Sequence, residues 1–168
     1  MAASRKQLAA EAWGSLLRLH AALVPALDQH LQSAVGLPLG WYDVLLELSA
    51  APGQRLRMSE LADRVVLSRS RVSRIVDELD TAGLVRREQN PDDGRSAFTV
   101  LTPEGMNRFR QAAPIYLAGI QAKFAASFTD DELRNLTELL DRACGSTQRG
   151  GATGIHTRIV DGPRLAQS

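Results

Sequence analysis

"SRSRVSRIVDELDTAGLVRREQNPDDGRS", residues 68–96, decides the fold of this chain. At about 100° per residue, Val72, Ile75, Val76 and Leu79 share one face of a helix, while Ser70, Arg74 and Asp77 point the opposite way with Arg71 and Ser73 beside them. Ser68 is placed to cap this helix and Gly83 to stop it. "LVRREQ", the turn "NPDDG" and "RSAFTVLT" then predict a β-hairpin with a five-residue loop. The charges run in an unexpected order: Arg64, Arg69, Arg71 and Arg74 have no acid between them, whereas Asp77, Glu78 and Asp80 follow toward the carboxyl end. The helix dipole favours the reverse placement, so helix stability does not account for the pattern. Arginine forks and hydroxyls beside the exposed N–H groups of a helix amino terminus suit a groove lined with phosphates.

Working outward, "LRM" at 56–58 predicts a short strand and Ser59 begins a brief helix, "ELADRVV". A tight break near Leu67 and Ser68 separates it from the arginine-bearing helix. Two helices, a tight turn and a hairpin carrying arginines together predict a winged helix-turn-helix. Upstream, Ser4 and Gln7 form a capping box that opens a long helix reaching Gly36, which Pro25 should kink or split. A second helix fits Trp41 to Ala50, ended by "APG" at 51–53. Downstream, Thr102 and Pro103 start a helix expected to run to about Phe128, with Phe109, Tyr116, Ile120, Phe124 and Phe128 near one face and a bend at Pro114. "FTDDEL" then combines a capping box, Thr129 with Glu132, and a staple, Phe128 with Leu133, to open a last helix ending at Gly145. Residues 146–168 lack periodicity and predict a disordered tail.

"MSELADRVVLSRSRVSRIVDELDTAGLVRREQNPDDGRSAFTVLTPEG" resembles the DNA-binding core of the MarR (multiple antibiotic resistance regulator) family, and the resemblance covers roughly residues 8–144. Its most specific piece is "DDGRS", where Asp93 and Arg95 match the family's D-x-R wing motif; "VDELDTAGLV" matches the usual end of the recognition helix. The resemblance implies a mainly α domain over 1–145. Its winged helix-turn-helix core at 39–102 carries a two-stranded β-hairpin wing, and dimerisation helices at 6–36 and 103–145 flank it. It implies that Ser70, Arg71, Ser73 and Arg74 approach bases and phosphates in the major groove, that Arg95 enters the minor groove, and that Asp93 pairs with Arg95 to fix the wing tip. Ser68, Arg69 and Arg86 complete the expected DNA-binding set. One recognition helix reads few base pairs, so a homodimer on an inverted repeat is expected.

The family commonly responds to small aromatic or phenolic molecules held between the dimer helices and the DNA-binding lobe, and Trp13, His20, Trp41 and Asp43, with Tyr42, are the residues here suited to such a crevice. The implied function is a sequence-specific transcriptional regulator, a repressor released from its operator by ligand. A winged-helix module that docks a protein through Asp77, Glu78 and Asp80 remains open as the alternative.

Composition narrows the remaining classes. The net charge is +1, so any anion-binding surface must come from local segregation of charge, and lysine occurs only at Lys6 and Lys123, leaving arginine as the basic residue. No segment approaches the roughly 20 uninterrupted apolar residues of a membrane span, and the expected location is the cytoplasm. Cys144 is the single cysteine, which excludes an intrachain disulfide; it is expected as a small buried side chain and lies far from the chain start, where redox-sensing relatives carry theirs. His20, His30 and His156 are too scattered for a metal site. No glycine-rich phosphate loop, nucleophile elbow or paired catalytic carboxylates occur, so neither a cofactor nor an enzyme activity is expected.

Overall fold

The computed structural model describes the backbone of residues 3–65, 67–90 and 93–147, and the side chains within them except at 90, 93–96, 146 and 147. Six helices and three strands follow in the order α1 (Arg5–Val35), α2 (Leu39–Ala50), β1 (Arg55–Arg57), α3 (Met58–Arg64), α4 (Arg69–Thr81), β2 (Val85–Asn90), β3 (Asp93–Leu101), α5 (Pro103–Lys123) and α6 (Asp130–Thr147). The architecture is mainly helical with a small antiparallel sheet, as expected. The tail from 148 onward lies outside the described residues.

Local chemistry sets most boundaries. The Ser4 hydroxyl accepts from the Gln7 backbone at 3.3 Å and the Gln7 side chain accepts from the Ser4 N–H at 2.8 Å, closing the capping box. Gly36 ends α1 in the left-handed region at φ 64°, which a side chain would resist. Pro25 does not split α1, which is one helix of 31 residues. Its carboxyl half is held by Leu27 and Leu31 in the core, so packing offsets the lost backbone donor. Asp28 accepts the Leu39 N–H at 2.7 Å and thereby fixes the start of α2, two residues earlier than expected. Likewise α3 starts at Met58, because the strand is Arg55–Arg57 and Glu60 accepts the Arg57 N–H at 2.9 Å.

The helix α4 buries Val72, Ile75, Val76 and Leu79, the face read from the sequence. Ser68 takes the cap position without a side-chain cap bond; its Oγ lies 3.3 Å from the Ser70 Oγ instead. At the other end Gly83, at φ 72°, lets the Leu84 N–H return to the Leu79 carbonyl at 2.9 Å. The wing differs from a plain two-stranded hairpin. β1 joins it to give the strand order β1-β3-β2, and Asn90 pairs with Asp93 inside the expected five-residue loop, whose residues 91 and 92 lie outside the described residues.

The helix α5 begins on Thr102, whose hydroxyl accepts from the Gly105 N–H at 3.0 Å, and it continues through Pro114. It ends at Lys123 and not at Phe128: Phe124 leaves helical geometry and its ring meets that of Phe128 with centroids 5.2 Å apart. Aromatic packing thus replaces the last turn. The expected capping box opens α6, with Glu132 accepting the Thr129 N–H at 2.8 Å; these bonds hold the Glu132 carboxyl below its usual range. α6 passes Gly145 and ends at Thr147. Cys144 is exposed on it, against the expectation of burial, because α6 meets solvent along most of its length.

The core gathers Leu31 of α1, Tyr42, Leu45 and Leu48 of α2, Leu61 of α3, Val76 and Leu79 of α4, and Phe109 and Ala112 of α5. The Tyr42 ring packs on Phe109 and Tyr116, with centroids 5.5 and 4.7 Å away. No described helix is long and apolar enough to cross a membrane.

Candidate nucleic-acid interface

The buried face of α4 fixes the rotation of the helix and so dictates what its other face presents. Ser68, Arg69, Ser70, Arg71 and Arg74 are exposed and Ser73 is half-buried. Arg71 and Arg74, one turn apart, make no ion pair among the described residues, whereas Arg69 Nη2 reaches Asp63 Oδ1 at 3.0 Å. Two of the three acids that follow are engaged, and Asp80 is exposed. Asp77 accepts from Arg87 of β2, and Glu78 accepts from the indole N–H of Trp41 at 2.9 Å. The amino-terminal half of α4 is therefore left with uncompensated positive charge and the carboxyl half is tied to its neighbours. This arrangement can hold an anion along the first two turns.

Arg86 is exposed on β2 and bonded to Glu88, with Nε to Oε1 at 2.8 Å. Asp93 and Arg95 lie on β3, but the expected pairing of their side chains falls outside the described residues. Thus α4 and its N-cap Ser68 bring six of the nine expected DNA-binding residues into one stretch, and the sheet carries the other three.

The four residues expected to line a ligand crevice do not form one cluster in the chain. Trp13, 60% exposed, and His20 stand on the solvent-facing half of α1. Trp41 borders an open groove of about 440 Å³ with Arg74, Asp77, Glu78, Thr81 and Ala82. Asp43 is part-buried between α2 and α5. Burial first, and then the charge of Glu47 one turn on, push its carboxyl up from 3.8 to about 7. Burial and Asp43 also raise the Tyr116 hydroxyl to about 12. Among the described residues no group of three or more His, Cys, Asp or Glu is placed to hold a metal.

Three features were not anticipated: the Trp41–Glu78 bond, the buried Glu47, and Arg55 and Arg57 on β1, whose guanidinium carbons lie 4.9 and 5.8 Å from the centroid of the Phe98 ring. The alternation in "RLR", Arg55 and Arg57 either side of Leu56, was the signal available for the last.

Comparison with known proteins bears on this geometry. A sequence model of the MarR family matches residues 35–96. The structure of Sco3205, a MarR family transcriptional regulator from Streptomyces coelicolor solved in complex with DNA, superposes with a TM-score of 0.78 at 31% identity, covering 89% of this chain and 96% of that one. AbsC, a MarR family regulator from the same organism, gives 0.76 at 31% identity over 88% of this chain and 97% of its own. The HTH-type transcriptional repressor YetL of Bacillus subtilis is 29% identical over 112 residues, 67% of this chain and 66% of that protein.

Proposed function

Because the chain belongs to the MarR family of transcriptional regulators, we propose that it is a homodimeric repressor, acting in the cytoplasm, that reads an inverted-repeat operator in duplex DNA and is released by a small aromatic or phenolic ligand. The observation that carries this reading is the bare arginine end of α4: Arg71 and Arg74 are exposed, one turn apart and without an acid partner among the described residues. Ser68, Arg69, Ser70 and Ser73 surround them with donors for phosphates and base edges, Arg86 supports the wing, and Arg95, braced by Asp93, reaches the minor groove. Two solved or named relatives favour the reading: Sco3205 was solved on DNA, and YetL is named a repressor. The alternative, protein docking through Asp77, Glu78 and Asp80, is disfavoured because two of these three acids, Asp77 and Glu78, are already engaged.

Dimerisation would use α1, α5 and α6. Leu8, Trp13, Leu16, Leu17 and Leu19 on α1 and Leu139 on α6 are exposed, more large apolar surface than a monomer ordinarily shows water. Residues 1–145 then form one domain in which 39–102 reads DNA and the remaining helices hold the partner. The ligand would sit near Asp43 and Tyr116, where a part-buried carboxyl raised to about 7 can exchange a hydrogen bond with a phenolic hydroxyl; Trp13 and His20 would reach that crevice only across the dimer. A ligand lowers operator affinity by the difference in its affinity for the two dimer states, and by no more. Selection of bound duplexes from a random pool tests the reading: enrichment of an inverted repeat with half-sites about one helical turn apart supports it, and recovery of no common sequence sinks it.

A further inference from the structure

Strand alternation sets Arg55 and Arg57 on one face of β1, opposite the buried Leu56. The register places them beside Val100 and Phe98 of β3, with Arg86 and Glu88 of β2 on the same face. This is the reverse of the face from which Arg87 reaches Asp77 of α4. Phe98 holds both arginines, with guanidinium carbons 4.9 and 5.8 Å from its ring centroid. Such stacking uses the flat face of a guanidinium and leaves its in-plane N–H donors open to another partner. Neither arginine makes an ion pair or a side-chain hydrogen bond among the described residues. The nearby acids are occupied, Glu60 by the Arg57 backbone N–H at 2.9 Å and Glu88 by Arg86 at 2.8 Å. Two like charges beside one ring repel each other, a cost that an anion between them would offset.

We infer that this outer face of the sheet binds the sugar–phosphate backbone of duplex DNA flanking the half-site read by α4. The inference rests on the DNA-binding reading above and extends the contact beyond the helix and the wing tip. Continuity favours this occupant, because β3 runs from Phe98 directly to the wing residues Asp93 and Arg95. Spacing favours it too. Side chains two apart on an antiparallel strand are about 6.8 Å apart, close to the through-space separation of adjacent phosphates on one DNA strand, which winds around an axis that it climbs by about 3.4 Å per nucleotide. Phosphate contacts of this kind add affinity and salt dependence without sequence preference.

The experiment uses the full-length protein and the duplex that it enriches from a random pool, in two lengths: trimmed to the inverted repeat, and extended by about ten base pairs on each side. Wild type should bind the extended duplex about tenfold more tightly than the trimmed one, with a log–log salt slope steeper by roughly two to four. R55Q/R57Q should bind both lengths with the wild-type affinity for the trimmed duplex, and R55K/R57K should keep most of the salt slope. A glutamine pair that matches wild type on the extended duplex, or that loses equally on both, overturns the inference. Should that variant fail to fold, Phe98→Leu keeps an apolar side chain and removes the platform; loss of at least half of the flank gain supports the inference and no loss overturns it. Arg74→Ala, run alongside, should lose affinity for both lengths. If wild type binds neither, the DNA-binding reading itself has failed, a result distinct from failure of the flank contact alone.

Discussion

Replacing Arg74 with alanine is the perturbation whose outcome the structure defines most closely. The side chain is exposed on the face of α4 opposite Val72, Val76 and Leu79, and it has no ion-pair partner among the described residues, so its removal should change folding stability by no more than about 0.5 kcal/mol. Binding is another matter. A dimer loses two such arginines at once. At the lower end for a base-edge contact, about 1 kcal/mol per half-site, the sum of about 2 kcal/mol weakens operator affinity roughly 30-fold. If Arg74 meets phosphate instead, the log–log salt slope should fall by about 1.8 per dimer. Arg71→Ala should behave alike. Arg69→Ala should lose less, because Asp63 already draws that guanidinium back at 3.0 Å, although so exposed a pair is worth under about 1 kcal/mol to the fold. Fluorescence anisotropy on the selected duplex, with thermal unfolding in parallel, measures both quantities. Wild-type affinity for Arg74→Ala, or Arg69→Ala as the most damaging of the three, would refute the reasoning.

Other consequences are equally open to measurement. Asp43 holds its proton more tightly in the native state than in the unfolded chain, so the stability it contributes is complete below about pH 3.8 and is lost as the pH rises through about 7. Asp43→Asn should therefore stabilise the protein at pH 8, with a ceiling of about 4 kcal/mol, and flatten the denaturation midpoint between pH 4 and 7; an unchanged profile would show that burial does not hold the proton. Gly105→Ala sets a Cβ 1.9 Å from the Leu84 carbonyl oxygen, which already accepts from the Thr102 N–H and hydroxyl, so the melting temperature should drop by roughly 10 °C for a cost of about 3 kcal/mol. Leu16→Asp with Leu139→Asp should convert a dimer to a folded monomer in analytical ultracentrifugation; a variant that stays dimeric would move the interface elsewhere. Trp41→Phe removes the indole donor to Glu78, and it should loosen α4 against α2, seen as faster amide exchange over residues 77–80.

Where the determinants are local, the sequence was legible. The capping boxes at Ser4 and Thr129 and the stop at Gly83 are hydrogen-bond chemistry within a few residues, and all three stand where they were read. The buried stripe of α4 followed from periodicity, and with it the exposure of Arg71 and Arg74. What escaped depends on partners far along the chain. The strand β1 was read one residue late, and its place in the wing sheet was missed, because it depends on the edge that β3 offers some forty residues later. Trp41 finds Glu78 across 37 residues, and Thr99, wholly buried, donates to the Met58 sulfur across 41. The end of α5 was misjudged because Phe124 and Phe128 continue the helical spacing, and only the meeting of their rings shows that the chain has left the helix. The candidate ligand residues were chosen by type, and type could not say that Trp13 and Asp43 stand in different surroundings.

The central claim is that the arginine end of α4 meets phosphates and bases as one half of a symmetric pair. Its most direct test is the affinity of the wild-type protein for the selected duplex, followed across salt concentrations, with the stoichiometry fixed by sedimentation. The account predicts two chains per inverted repeat and an affinity that falls steeply as salt rises, with a log–log slope of about four or more from at least four phosphate contacts. A single chain per duplex, or an affinity indifferent to salt, would contradict it.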